Sequence, residues 1–372
     1  MVNAHSHAFQ RDLRGVAERP GSPDDDFWTW RNEMFRLAGA LEPDTMRDVA
    51  GRVYAEMAAA GYGAVGEFHY VHHRPDGAPY TEPNAMAIAV AEAAIGAGLQ
   101  IVLLPAAYNR NGWDGWDRPP GPGQRRFCDP DVETFLARVD ALRGWAADRD
   151  GVDVGIAAHS VRAVPASWLR AIGAYARDHD LVAHVHAHEQ RRELDECAAE
   201  HGCTPIELLD RTEFLGPRTS VVHGIHVTDG DIGLLAASGT TVVSCPTTEG
   251  NLGDGFLPAL RHRDAGVPLA IGSDSQVRVD PFEEVRELET GARREGQTRH
   301  ALLAAHGDLW AELVRSGAES IGLEEGTAGT ITIDLDHPDL RGVEPADLPY
   351  ALATCASAAV VEGRRRDVAA RP

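Results

Sequence analysis

Short apolar runs rich in Val, Ile, Leu and Ala recur near residues 1–6, 62–68, 100–106, 152–158, 181–187, 219–223, 240–244 and 268–272. Between them, near 43–60, 84–98, 130–148, 165–179, 189–200, 229–238 and 256–264, apolar residues follow the three-to-four spacing of an amphipathic helix. Strands alternating with helices build βαβ units and a parallel sheet. Eight such strands predict an α/β fold, a closed (β/α)8 TIM barrel rather than an open doubly wound sheet. No GxGxxG follows an early strand to mark a dinucleotide site. Beyond the eighth strand, 281–297 and 300–316 read as two more helices, the first started by Asp280-Pro281. Thr330-Ile331-Thr332-Ile333 then alternates like an antiparallel strand. The pattern predicts a barrel over 1–325 and a small β appendage over 326–372. The Gly/Pro-rich stretch 109–124 reads as a long loop after a strand, placed to cover the catalytic face.

A length of 372 residues suits one barrel plus an appendage. No apolar run approaches the roughly 20 residues of a membrane span. The N-terminus lacks a basic-then-apolar leader. A net charge of −22 argues against nucleic acid or anionic membrane as partners. Five cysteines without a CxxC pair read as thiols of a reducing compartment, so the cytoplasm is expected. Arg364-Arg365-Arg366 reads as a solvated tail, and a homodimer is compatible with the bulk properties. The chain has no lysine, so its 35 basic residues are all arginines. That absence excludes Schiff-base and P-loop lysines and a carbamylated lysine bridging two metals. A single-metal site is the simplest expectation.

Candidate chemistry gathers where the strands end. His5-Ser6-His7 places two imidazoles on one side of a strand. His184-Val185-His186-Ala187-His188-Glu189, Val221-Val222-His223 and Gly272-Ser273-Asp274-Ser275 end later apolar runs. Three histidines and a carboxylate with an open position form a catalytic zinc arrangement. His5, His7, His186 and Asp274 are the expected ligands of one Zn2+ per chain. Periodicity cannot choose among His184, His186 and His188; Glu189, three residues after His186, favours that one. His184 reads as a barrel-core residue, and His72, His73, His188, His201 and His226 as loop or surface histidines. Zinc lowers the pKa of bound water toward neutrality. Asp274 is expected to hold or accept that water's proton, and His223 to polarise the hydroxide or stabilise the developing tetrahedral centre. Glu189 would carry protons to a leaving nitrogen as general acid/base. Deamination is favoured over other amide-type hydrolysis.

The chain also resembles a known family. Asn3-Ala4-His5-Ser6-His7-Ala8-Phe9-Gln10-Arg11 is similar to the first metal strand of the formimidoylglutamate deiminases of the amidohydrolase superfamily. So are Phe27-Trp28-Thr29-Trp30-Arg31, Gly66-Glu67-Phe68-His69-Tyr70-Val71-His72-His73 and His159-Ser160-Val161-Arg162. His186-Ala187-His188-Glu189-Gln190 and Thr248-Glu249-Gly250-Asn251-Leu252-Gly253-Asp254-Gly255 match as well. The resemblance implies hydrolysis of N-formimino-L-glutamate to N-formyl-L-glutamate and ammonia. It further implies Arg31, Tyr70 and Arg162 at the substrate carboxylates, with Gln10 and His159 near the formimino group. A dianionic small molecule suits forked arginine donors. Arg110 and Arg125 read instead as surface salt-bridge residues. Family members carry a segment ahead of the first metal strand. With four residues before His5, that strand is expected to be a stub and the appendage an incomplete β-sandwich. Two alternatives remain. One is a single-zinc deaminase of a purine, pyrimidine or triazine ring; the other is a truncated, catalytically silent metal-binding homologue.

Overall fold

The computed structural model describes residues 1–19, 21, 25–112, 119–303 and 309–365. Its main sheet is parallel and comprises β1 (Val2–Ser6), β2 (Ala64–His69), β3 (Gln100–Ala107), β4 (Val152–Val154) and β5 (Ile156–Ser160). It continues through β6 (Ala183–Ala187), β7 (Thr219–His223), β8 (Thr241–Ser244) and β9 (Leu269–Ile271). The order is β1-β2-β3-β5-β6-β7-β8-β9, with β4 beside β3. A parallel bridge between Ser6 and Asp274 brings the two ends of the sheet together. There the His7 N–H donates to the Asp274 carbonyl at 2.9 Å, and the Asp274 N–H donates to the His5 carbonyl at 3.1 Å. The eight runs read from the sequence thus make a barrel, with one refinement. The run 152–158 breaks at Gly155, where a Cβ would lie 2.7 Å from side-chain atoms of both Leu104 and Val182.

The expected stub at strand one is instead a five-residue strand, buried throughout and paired with β2 from Val2 opposite Ala64, with a register shift between Asn3 and Ser6. It is anchored by a side chain: the Asn3 amide donates to Ser273 Oγ at 2.6 Å and accepts from the Ser273 N–H at 3.0 Å. Gly272 permits this closure, since a Cβ there would lie 2.7 Å from the His5 carbonyl oxygen.

The expected helices form with shifted ends: α2 (Pro43–Ala59), α3 (Ala85–Gly96), α4 (Val132–Ala146), α5 (Ala166–Asp178) and α6 (Arg191–His201). After α7 (Pro205–Arg211) come α8 (Asp229–Ser238), α9 (Pro246–Leu252), α10 (Ala259–Asp264) and α11 (Pro281–Gly296). Periodicity did not indicate α1 (Phe27–Ala40), nor the short α7 and α9. The Asp26 carboxylate caps α1 by accepting from the Trp28 and Thr29 N–H groups, a contribution typically worth about 1 kcal/mol. Asp280 caps α11 as expected, accepting from the Phe282 N–H at 2.9 Å. Of the expected helix 300–316, residues 304–308 lie outside the described residues, and α12 runs Leu309–Ser320.

The C-terminal segment pairs β10 (Thr330–Ile333) with β11 (Val361–Arg365) in an antiparallel ribbon, with α13 (Leu348–Thr354) between them. Phe282, Leu340, Ala351, Ala356 and Val360 form its own small core. Arg364 is not a solvated tail residue. Its guanidinium donates to the carbonyls of Tyr62 and Gly98, fastening the ribbon to the barrel. Arg366 lies outside the described residues. No helix among the described residues is long and apolar enough to cross a membrane.

Candidate active site

The candidate ligands, Glu189 and His223 sit where strands of the barrel end, whereas Gln10 lies in the turn after β1 and Arg31 on α1. The Nε2 atoms of His5, His7 and His186 and a carboxylate oxygen of Asp274 lie within 4.8 Å of one another, and all four residues are buried. Second contacts set the ring orientations. His7 Nδ1–H donates to the Phe68 carbonyl at 2.8 Å, and His186 Nδ1–H donates to the His159 carbonyl at 2.8 Å. With its proton on Nδ1, each of these rings must present a bare Nε2 lone pair inward. Those two lone pairs face each other at 3.4 Å, and His5 Nε2 stands 3.1 Å from His186 Nε2. Asp274 Oδ1 is 3.4 Å from His5 Nε2 and 3.3 Å from His7 Nε2.

Burial pushes His5 down to about 3 and also lowers His7 and His186, so protons do not relieve the crowding. Burial also opposes the charge on Asp274, yet His5, His7 and His223 around it hold the carboxyl below the usual range. Buried lone pairs converging on a carboxylate fit a metal cation and are costly without one. Asp274 and His223 both adopt positive φ, at 46° and 78°. Such strain is retained where it aims a functional side chain.

Next to this cluster, His223 Nε2 is 3.5 Å from Glu189 Oε1 and 4.0 Å from Asp274 Oδ2. Burial disfavours charge on His223, but Glu189, Glu249 and Asp274 outweigh it and push the imidazole up to about 10. Burial raises Glu189 above the ordinary carboxyl range, against the pull of His223 and Arg162. A carboxyl group and an imidazole this close, lining one cavity, form the arrangement a proton shuttle requires. Glu189 Oε2 also meets Arg162 Nη2 at 3.5 Å.

One cavity is lined by His7, Gln10, Arg31, Tyr70, His159, Arg162, His186, Glu189, His223 and Asp274. Every expected site residue except His5, which lies behind this wall, faces that space. The Gln10 amide donates to Tyr70 Oη at 2.9 Å, leaving its buried Oε1 without a partner. The Nε atoms of Arg31 and Arg162 are likewise buried and unpartnered. Arg31 stacks 4.6 Å from the Trp28 ring, and Arg162 lies 5.6 Å from the same ring. The far wall comes from α1 through Phe27, Trp30, Met34 and Phe35. Cover was expected from the loop 109–124. Residues 113–118 of that loop lie outside the described residues, and Tyr108, just before it, lines the cavity.

Other expectations need correction. His72, His73 and His188 lie in loops, as expected, but are buried there rather than on the surface. His188 is fully used as structure: its Nδ1–H donates to the His226 carbonyl at 2.9 Å and its Nε2 accepts the Ile206 N–H at 3.2 Å. His184 is a core residue as expected, donating to the Ser320 carbonyl at 2.8 Å. Arg110 is buried rather than on the surface. It donates to the carbonyls of Val161 and Arg162, both at 3.0 Å, and pairs with Glu200 at 2.9 Å. It thereby props the turn that carries Arg162.

Sequence reading also missed two buried carboxylates. Glu67 accepts from Ser6 Oγ at 2.6 Å and from the Ala8 N–H at 2.7 Å, bracing the backbone around both N-terminal ligands. Glu249 contacts His223 from behind. Both lie in stretches singled out for resemblance, but only their tertiary contacts reveal what they do.

Residues 1–317 match the Amidohydrolase family. The formimidoylglutamate deiminase of Pseudomonas aeruginosa is 37% identical over 355 residues, covering 92% of this chain and 77% of that protein. The 5-methylthioadenosine/S-adenosylhomocysteine deaminase of Haloarcula marismortui is 30% identical over 350 residues, covering 91% and 73%. The crystal structure of an amidohydrolase from Brucella melitensis superimposes with a TM-score of 0.87 at 32% identity, covering 98% of this chain and 85% of that one. With candidate metal ligands, a carboxylate–imidazole pair and arginines around one cavity, the chain belongs to the amidohydrolase family and is a hydrolase acting on C–N bonds.

Proposed function

We propose that the chain hydrolyses N-formimino-L-glutamate to N-formyl-L-glutamate and ammonia, with one zinc ion per chain. The observation that carries the substrate is the pair of buried guanidinium groups of Arg31 and Arg162, each with an Nε that makes no hydrogen bond, lining the cavity that holds Glu189 and His223. A dianionic tail satisfies such donors, whereas a neutral ring leaves them buried and unpaired. Zinc is supported by the donor set of three imidazole nitrogens and one carboxylate.

The residues divide the work. His5, His7, His186 and Asp274 would hold the zinc, which when bound makes water acidic enough to act as nucleophile near neutral pH. Asp274 Oδ2, beside His223, accepts a proton from the attacking water. His223 Nε2 stabilises the negative charge developing on the tetrahedral carbon's oxygen. Both protons gained by the imino nitrogen come from that water, one taken up by Asp274 and one lost by the tetrahedral hydroxyl as it becomes the formyl C=O. Glu189 passes them to the nitrogen, so the C–N bond breaks and ammonia leaves. Gln10 Oε1 and His159 orient the formimino group; Tyr70 Oη, Arg31 and Arg162 bind the carboxylates. The α1 wall keeps bulk water from the site.

A second reading draws on Phe27, Trp30, Phe35 and Tyr108, aromatic walls on which a purine could stack. Zinc-loaded protein should release ammonia from N-formimino-L-glutamate with a kcat/KM at least about 100-fold above adenosine, methylthioadenosine or 8-oxoguanine. A reversed order would establish the purine reading.

A further inference from the structure

Glu249 is the first carboxylate behind the reacting groups, and its oxygens are tightly held. Oε1 accepts the Cys245 N–H at 2.7 Å, and Oε2 accepts Ser244 Oγ–H at 2.9 Å. Oε1 also faces His223 Nδ1 at 3.4 Å. Glu249 is 3% exposed, so this contact is shielded from solvent competition. His223 is thus gripped on one ring nitrogen while the other faces Glu189 and Asp274. The neighbouring Thr248 reinforces the geometry. Its Oγ–H donates to the Ser273 carbonyl at 3.1 Å and its Oγ accepts the Ser275 N–H at 3.2 Å, on either side of Asp274. Two consecutive residues at the start of α9 therefore brace two different active-site strand ends.

We infer that Glu249 is a positioning residue for the deamination: by accepting the Nδ1–H of His223 it fixes the ring so that Nε2 points at the reacting carbon's oxygen. The inference rests on His223 acting as the proposed function describes. An imidazole has two nitrogens and can flip, and a partner on one decides what the other presents. The backbone of His223, at φ 78°, supplies the direction of the side chain. It does not supply the rotation of the ring. Glu249 supplies that from α9, which reaches His223 only through the fold.

Glu249→Gln keeps the shape and a neutral acceptor while removing the charge. With zinc-loaded protein, Glu249→Gln should lower kcat about 10–100-fold, the range typical when an outer partner of a site imidazole is lost. KM and zinc content should change by less than about threefold. In a His223→Gln background the same change should cost less than about twofold, because a residue acting through His223 has nothing left to position. Equal losses in both backgrounds would overturn the inference, as would a fall in zinc content matching the fall in kcat.

A readout independent of substrate accompanies this. The wild-type protein should show a far-downfield imidazole N–H proton resonance, absent in His223→Gln and moved upfield in Glu249→Gln. A resonance unmoved by Glu249→Gln would also overturn the inference. If N-formimino-L-glutamate were not the substrate, the resonance would still report on the contact. The two failures are therefore distinguishable.

Discussion

Glu189→Gln separates proton transfer from metal binding more cleanly than any other single change in this site. Glu189 is not among the four converging ligands. Its side chain meets His223 Nε2 and Arg162 Nη2, each at 3.5 Å, and glutamine can occupy the same space. The amide loses the capacity to give and take a proton. It also withdraws one negative charge from Arg162, leaving Glu193 Oε1, 3.9 Å from Arg162 Nε, as the nearest charge to hold the guanidinium in place. Substrate binding should therefore change little. General acid/base groups contribute about 10²–10⁴-fold, or roughly 3–5.5 kcal/mol of barrier. The variant should keep one zinc per chain and a KM within about threefold of wild type while kcat falls at least about 100-fold. Metal analysis with steady-state ammonia release makes the comparison. Loss of zinc would place Glu189 in the metal site, and near-normal turnover would remove it from proton transfer; either refutes the reasoning.

Other outcomes follow from the same geometry. Arg162→Met should reduce kcat/KM for N-formimino-L-glutamate about 10–150-fold, the worth of a hydrogen bond to a charged group. It should cost far less on a formimino compound lacking the matching carboxylate; equal losses would make Arg162 structural. Chelation of the metal should lower the thermal midpoint, because an ion bound only by the folded state stabilises it by mass action, and an unchanged midpoint would count against the site. Gly272→Ala should destabilise by roughly 1–3 kcal/mol or more, since the added Cβ meets His5 backbone atoms at 2.7–2.9 Å, and denaturant titration measures it. Burial lowers His184 from its ordinary 6.5 to about 4. Its folded pKa is below its unfolded one, so the unfolded chain binds more protons between those values. Its contribution to stability is complete above pH 6.5 and is lost as pH falls toward 4. The slope is about 1.4 kcal/mol per pH unit, and His184→Gln should flatten that part of the stability–pH curve.

The parts of the site legible in the sequence are those set by strand geometry. His5 and His7 share a strand face because of their spacing, and His223 and Asp274 end apolar runs that must be strands. What stayed hidden depends on which segments the fold brings together. Strand period gave His184, His186 and His188 the same face; the carbonyls of Ser320, His159 and His226 that separate their roles come from elsewhere in the chain. α1 escaped notice because its aromatic residues face the cavity as well as the core, which blurs an amphipathic stripe. Arg110 looked like a surface charge because nothing local reveals that carbonyls 51 and 52 residues away await it. Glu249 lies in a stretch that resembles the family closely, but its partner is a histidine 26 residues earlier.

The most direct test of the central claim uses the two different C–N bonds of N-formimino-L-glutamate. Incubated with zinc-loaded protein in 18O-labelled water, the substrate should yield ammonia and N-formyl-L-glutamate in equal amounts, with one labelled oxygen in the formyl group. That result requires water to attack the formimino carbon and the bond to the terminal nitrogen to break. Formamide and glutamate as products would mean that the other bond breaks. No ammonia from this substrate, with zinc bound in full, would contradict the account.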